Sequence, residues 1–130
     1  MTQHPIELIL LRQLASYLAT PMFVVDAAGT LIYYNEAAEP LLGRRFEDND
    51  EMEREAWLAA FAPRGLEGQP LDADNPLLAA LAERREQHQR LVISRIDGGE
   101  QRIEATAIPL EGKAGTLLGA VAIFWPVDAS

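Results

Sequence analysis

The chain has 130 residues and no cysteine, and 48% of its residues are hydrophobic. This length and composition fit one globular domain with a single core, and they exclude disulfides, thiolate nucleophiles and cysteine-ligated metals. The formal net charge of −9 opposes binding to nucleic acid or to an anionic membrane surface. Since His4 and His88 are the only histidines, a metal site built from several histidines is also excluded.

The first predicted element is a helix over residues 5–19. Pro5 suits the first helical position, and Thr20-Pro21 ends the segment. Its apolar positions extend over more than one face, so we expect one face to pack on the protein's own sheet and another on a partner chain. The segment lacks the basic flank and the cleavage site of a signal peptide, which favours a cytoplasmic protein.

The next segment, residues 21–43, predicts two strands joined by a tight turn and followed by a short helix. Asp26 can bond its own backbone and Gly29 can adopt positive φ, so together they favour the turn. Asn35 can cap the helix and Gly43 can end it. The two strands, rich in β-branched and aromatic residues, are predicted over 22–25 and 30–34.

Two further helices and three strands complete the chain. One helix is predicted over 51–61, and another starts at the cap pair Asn75-Pro76. The expected inner face of the first of these helices comprises Met52, Trp57, Leu58 and Phe61. The strands are predicted over 90–96, 101–109 and 116–125. This order of elements predicts an α+β fold with a five-stranded antiparallel sheet.

The segment 21–43 resembles the opening half of a PAS domain, whose loose signature is Asp, Gly, Asn, Ala and Leu-x-Gly. The residues at those places are Asp26, Gly29, Asn35, Ala38, Leu42 and Gly43. Later segments are similar to bacterial PAS domains attached to histidine kinases and phosphatases, namely Gly68-Gln69-Pro70-Leu71, Asn75-Pro76-Leu77, Asp97-Gly98-Gly99, Pro109-Leu110 and Gly119-Ala120-Val121.

The resemblance implies a PAS fold with short helices over one face of the sheet. It divides the chain into an N-terminal flanking and dimerisation helix, residues 1–20, and a single PAS domain, residues 21–130. PAS domains are sensory and interaction modules, so we expect no enzymatic activity.

A small-molecule cavity can form in this architecture between the concave face of the sheet and the middle helices. By the family pattern, Leu31 and Tyr33 would face the interior, and Ile32 and Tyr34 the opposite side. The candidate lining residues are Leu31, Tyr33, Trp57, Phe61, Leu77, Leu81, Ile103 and Ala105. A filled core accounts for the same residues at least as well.

No cofactor is expected, although a small-molecule ligand stays possible. The flavin photoadduct of PAS relatives requires a cysteine, which this chain lacks. Noncovalent flavin stacked on Trp57 or Trp125 remains an alternative, but core or interface packing explains both tryptophans better. Haem-binding relatives place an axial histidine on the last helix before the final strands. His88 follows that helix, and this position favours an exposed loop residue over a haem ligand.

The leading hypothesis is a cytoplasmic signalling module that acts through protein–protein contacts as a homodimer. The predicted dimer contact comprises Leu8, Leu11, Leu14, Leu18, Ile32 and Tyr34. PAS relatives usually close with an Asp-Ile/Val-Thr triplet that leads to an output helix, whereas this chain has Pro126-Val127-Asp128. We therefore expect no covalent output domain and a kinase, phosphatase or regulator as a partner in trans.

Two other functions stay open at this point. The first is a small-molecule sensor whose cavity holds a metabolite, or haem or flavin. The second is a small α+β enzyme, which requires an acid–base pair that faces a pocket.

Overall fold

Five antiparallel strands form one sheet in the order β2-β1-β5-β4-β3 in the computed structural model, which describes residues 5–46 and 51–127. The helices are α1 (Ile6–Ala15), α2 (Glu39–Leu42), α3 (Arg54–Phe61) and α4 (Pro76–Glu83). The strands are β1 (Met22–Asp26), β2 (Leu31–Tyr34), β3 (Gln87–Ser94), β4 (Glu100–Glu111) and β5 (Leu117–Pro126). Short 3-10 turns occupy Glu36–Ala38 and Lys113–Gly115. The predicted α+β architecture is confirmed.

Two buried asparagines begin helical segments, as their sequence positions predict. The Oδ1 atom of Asn35 accepts a hydrogen bond from the backbone N–H of Ala38, and that of Asn75 accepts one from Leu78. Pro76 follows Asn75 at the first position of α4, where a missing N–H costs nothing. Gly43 ends α2 with a φ of 80°, which favours glycine.

Strand β2 contains a bulge that changes which tyrosine faces the interior. Val24 of β1 pairs with Tyr33 and the next residue, Val25, pairs with Leu31, so Ile32 is an extra residue in β2. Leu31 and Tyr34 therefore pack on the helix-covered face, while Ile32 and Tyr33 pack on the other face. The predicted inward position of Tyr33 and outward position of Tyr34 are both wrong, because regular alternation does not hold through a bulge.

The sheet separates two hydrophobic cores. The larger core lies between the inner face of the sheet and helices α2, α3 and α4, and the smaller one between the outer face and α1. Strand β5 serves both, since Ala120 and Phe124 belong to the larger core and Val121 to the smaller one. A central strand that is covered on both faces is apolar along its whole length, as predicted for this segment.

Each of the two edge strands, β2 and β3, forms backbone hydrogen bonds with one residue that lies outside the sheet. Leu31 of β2 exchanges two backbone hydrogen bonds with Met52, of 2.7 and 3.1 Å. On the opposite edge, Val92 of β3 exchanges two with Arg64, of 2.8 and 2.9 Å. Met52 therefore lies before α3 and pairs with a strand edge. Its predicted place on the inner face of the helix is wrong.

Gly119 of β5 marks the closest approach of two strand backbones. A Cβ atom at this position would lie 2.2 Å from the carbonyl oxygen of Val25, on the neighbouring strand β1. We expect Gly119→Ala to lower the free energy of unfolding by about 3 kcal/mol, because β1 and β5 would have to separate. Urea unfolding measures this loss.

Gly68→Ala is the matched control, because a Cβ atom there meets open space although the φ of Gly68 is 90°. The left-handed backbone conformation alone should make Gly68→Ala lower the free energy of unfolding by about 1 kcal/mol. If both substitutions cost the same, the close approach of β1 and β5 is not the constraint at Gly119.

Candidate functional site

An apolar cavity of about 60 Å³ lies in the larger core, between the inner face of the sheet and helices α3 and α4. Five predicted lining residues border it, namely Trp57, Phe61, Leu77, Ile103 and Ala105. Leu31 and Leu81 pack in the same core but are not among the cavity walls. Tyr33 lies on the opposite side of the sheet.

The cavity walls that the sequence interpretation missed come largely from the strands. They include Phe23, Leu91, Ile93, Ala122 and Phe124, which all point to the inner face. The sequence shows all five as apolar residues of predicted strands. Phe23 stands in a continuous apolar run whose two faces cannot be distinguished by periodicity.

Aromatic side chains fill most of the space around the cavity. The ring of Phe23 lies with its centroid 5.5 Å from that of Trp57 and 5.9 Å from that of Phe61, both edge to face. The indole N–H of Trp57 donates a 2.7 Å hydrogen bond to the carbonyl of Gly29, at the turn between β1 and β2. Trp57 is therefore fixed as a core residue, with its polar atom satisfied.

The polar atoms of Asn75, which borders the cavity, are engaged elsewhere. Its amide nitrogen donates to the carbonyls of Leu71 and Asp72, at 3.1 and 2.9 Å, while its oxygen caps α4. Ligand pockets for drug-sized molecules measure roughly 300 to 1,000 Å³. The present cavity suits a small apolar group, and haem or flavin would require its walls to move apart.

Helix α1 covers part of the outer face of the sheet. Leu8 is 1% exposed and Ile32 is 2% exposed where they meet. Together with Tyr34 in the larger core, these residues cannot contact a partner in this conformation, which corrects three of the six predicted dimer residues. Leu11 is half-buried, whereas Leu14 and Leu18 are 55% and 43% exposed.

The exposed side of α1 is more apolar than the prediction assumed. The additional exposed residues are Ile6, Ile9, Leu10 and Tyr17, the last of which is 80% exposed. Ile6, Leu10 and Leu14 recur every four residues, so they form one stripe along the helix. This spacing is visible in the sequence, but the wide apolar arc leaves open which side of the helix meets the sheet.

Arg12 holds one flank of α1 against aromatic rings. Its guanidinium carbon lies 4.9 Å from the centroid of the Tyr33 ring and 5.7 Å from that of Phe46. Partial burial raises the pKa of the Tyr33 phenol, an effect that Arg12 opposes and Glu39 adds to.

The half of the outer face beyond α1 carries a polar cluster beside an exposed tryptophan. His88 contacts Thr106 and Glu104 through its two ring nitrogens, at 2.7 and 3.1 Å, and Trp125 is 38% exposed nearby. A hydrogen bond from Arg90, 2.9 Å long, is the main cause that holds the pKa of Glu104 below its ordinary value. His88 lies in β3, not in a loop, and it faces away from the cavity.

A family profile for the PAS fold matches residues 18–130. The chain belongs to the PAS domain family. No curated protein sequence matches the chain.

Solved PAS domains share the fold at low sequence identity. The PAS domain of nitrogen regulation protein NR(II) from Vibrio parahaemolyticus has a TM-score of 0.62 and 16% identity, with 91% of this chain and 98% of that chain covered. A PAS domain from a two-component sensor histidine kinase has a TM-score of 0.63 and 11% identity, with 94% and 97% covered. A light-oxygen-voltage domain studied with a flavin analogue gives 0.66 and 14%, with 95% and 86% covered.

Clusters of metal-ligating side chains are absent from the part of the chain that the structure describes. Within 5–46 and 51–127, no group of three or more histidine, aspartate or glutamate side chains is placed to hold a metal ion. Asp26 has a structural role, since its Oδ1 atom accepts hydrogen bonds of 3.0 Å from the backbone N–H groups of Ala28 and Thr30.

No helix among the described residues is long and apolar enough to span a bilayer.

The cavity generates a prediction about stability. Ala105→Val adds two carbon atoms to a cavity wall, so we expect the free energy of unfolding to rise by about 1 kcal/mol. Ala107→Val is the matched control, because Ala107 is equally buried on the same face of β4 but does not border the cavity. It should lower the free energy of unfolding by about 2 kcal/mol through overpacking. Urea unfolding distinguishes the two, and equal effects would contradict an open cavity beside Ala105.

Proposed function

We propose that this PAS domain is a non-enzymatic signalling module that acts through protein–protein contacts and pairs with a second copy through the exposed face of α1. The observation that carries the proposal is the apolar surface that α1 and the turn after it present to solvent. Its main members are Ile6, Ile9, Leu10 and Leu14 of the helix and Tyr17 of the turn. Contiguous exposed apolar patches rimmed by polar residues mark interaction sites in soluble proteins.

The apolar surface continues from α1 onto the sheet. A groove beside the helix is lined by Leu10, Leu11 and Leu14 on one side and by Leu110 and Leu118 on the other. Ile108 extends this surface along β4, where it is 39% exposed. Helix and sheet together offer a larger contact area than either alone, and a two-fold pair covers the same patch on both copies.

The proposed cellular role is signal transduction in the cytoplasm, with a kinase, phosphatase or regulator as the partner. Membership of the PAS family supports a sensory or signalling role. The fold similarity to PAS domains of a nitrogen regulation protein and of a sensor histidine kinase is consistent with such partners. The net charge of −9 supports partners other than nucleic acid and anionic membranes.

Leu14→Glu tests the pairing. A charge at Leu14, the last residue of the exposed stripe, should abolish self-association, because an ion buried in an apolar contact loses its hydration without gaining a partner. Sedimentation velocity at tens of micromolar should show a dimer for the natural chain and a monomer for the variant.

Leu66→Glu is the control, since Leu66 is 49% exposed in the loop between α3 and α4. It makes the same chemical change at similar exposure away from α1, and it should remain dimeric. A natural chain that sediments as a monomer at these concentrations contradicts the proposed pairing.

A second candidate is a sensor whose cavity holds a small ligand. The apolar cavity of about 60 Å³ favours it, because space lined by such residues can accept a small apolar molecule. Haem and flavin are proposed to be absent, since either would need a much larger pocket.

Absorbance and mass together test the ligand. The purified protein should show no absorption band beyond the near-ultraviolet band of its aromatic residues, whereas haem or flavin would add a visible band. Native mass spectrometry should detect the unmodified chain mass for each protomer. A stoichiometric added mass would favour the sensor, and a visible band would contradict the proposed absence of haem and flavin.

A further inference from the structure

The side chain of Asn35 is completely buried where α1, the sheet and α2 meet. We infer that this side chain is a latch for α1. Its amide nitrogen holds the end of the helix on the domain, and loss of the donated hydrogen bonds releases α1 while the rest of the domain stays folded. The regulatory meaning of the latch rests on the proposed function, in which α1 is the pairing element.

The oxygen of the Asn35 amide organises the PAS core. Its Oδ1 atom accepts a 2.9 Å hydrogen bond from the backbone N–H of Met22, the first residue of β1. It accepts a second, 3.2 Å bond from Ala38, the last residue of the 3-10 turn that precedes α2. Both are acceptor functions, so any short side chain with a suitable oxygen can perform them.

The nitrogen of the same amide binds the end of α1 and the segment that joins α1 to β1. Its two N–H groups are shared among three carbonyl oxygens, those of Ala15 at 3.1 Å, Leu18 at 3.4 Å and Thr20 at 2.8 Å. Ala15 is the last residue of α1, and the other two lie in the segment that leads to β1. The carbonyl of Ala15 also accepts a 3.1 Å hydrogen bond from the backbone N–H of Leu18, so Asn35 adds a second donor at the end of the helix.

Side-chain packing also attaches α1 to the sheet. Leu8 and Ala15 are its only buried residues within the described part of the chain, half-buried Leu11 packs against the same smaller core, and its other apolar side chains face solvent. Arg12 adds the stacking contact with Tyr33. A helix of ten residues is not stable alone in water. The docked state of α1 therefore depends on this packing, on the aromatic contact and on Asn35.

Asn35→Asp separates the two functions of the amide. The carboxylate still accepts hydrogen bonds from Met22 and Ala38, and aspartate is a favourable helix cap. It cannot donate to the three carbonyl oxygens, and it places a negative charge against them. The variant therefore removes the latch and keeps the organisation of the core.

Hydrogen exchange read at single amides measures the release. The measurement is made in the Leu14→Glu background, so that the pairing of two copies does not protect α1. Asn35→Asp should reduce the protection of the amides from Ile9 to Ser16 by at least about tenfold. Amides in the middle of β1, β4 and β5 should change less than about threefold.

Asn75→Asp is the matched control for this substitution. Asn75 is also a buried helix cap, but its nitrogen donates to the carbonyls of Leu71 and Asp72 instead of to α1. The same chemical change there should leave the protection of α1 intact. Asn35→Ser is a second latch variant, which keeps an acceptor oxygen on a shorter side chain and should also release α1.

Several results would overturn the latch. One is α1 amides that keep their protection in both Asn35 variants, or that lack protection before any change at Asn35. Another is protection lost equally across the sheet in both variants, since Asn35 would then be a general core residue. The pairing proposal fails separately, by sedimentation of the natural chain as a monomer, and that result leaves the exchange measurement valid.

Discussion

The sheet is apolar on its inner face and on the β1–β5 part of its outer face, and within residues 5–46 and 51–127 one short helix, α1, covers that outer part. Strands β1 and β5 are central and carry buried residues on both faces, such as Val24 and Val121 on the outer side. Helix α1 meets this requirement with little more than Leu8 and Ala15. Because so few of its residues face inward, the other apolar residues of α1 are left in water. The exposed stripe and the weak attachment of the helix have this same origin.

The inner face of the sheet, in contrast, is well covered, and large aromatic side chains contribute much of the packing there. Phe23, Trp57 and Phe61 meet edge to face and leave only a small void between them. The turn after β1 takes part, because the carbonyl of Gly29 binds the indole of Trp57. The interior is therefore close-packed near the turn between β1 and β2.

Local chemistry was the most predictable part of the structure. The caps at Asn35 and Asn75 and the turn at Asp26 depend on one side chain and its neighbours in sequence, so the sequence alone identifies them. The order of the elements along the chain and the antiparallel sheet followed from the same boundaries together with the family resemblance. The walls supplied by Trp57 and Phe61 were identified because their spacing places both on one face of a helix.

The missed features depend on how distant segments meet. The bulge at Ile32 is a mismatch between two strands, and period-two alternation assumes that no such mismatch exists. For that reason Tyr33 and Tyr34 were assigned to the wrong faces. Leu8 was placed at a partner contact because a helix with a wide apolar arc has no unique buried side. The size of the cavity depends on side-chain packing, which residue spacing does not encode.

The pairing of both sheet edges limits how this domain can assemble. Met52 occupies the edge of β2 and Arg64 that of β3, each through two backbone hydrogen bonds. A foreign strand therefore cannot pair along the full length of either edge without displacing Met52 or Arg64, which disfavours the addition of strands from other chains. Association through a face closes on itself after two copies, while association through edges has no natural end.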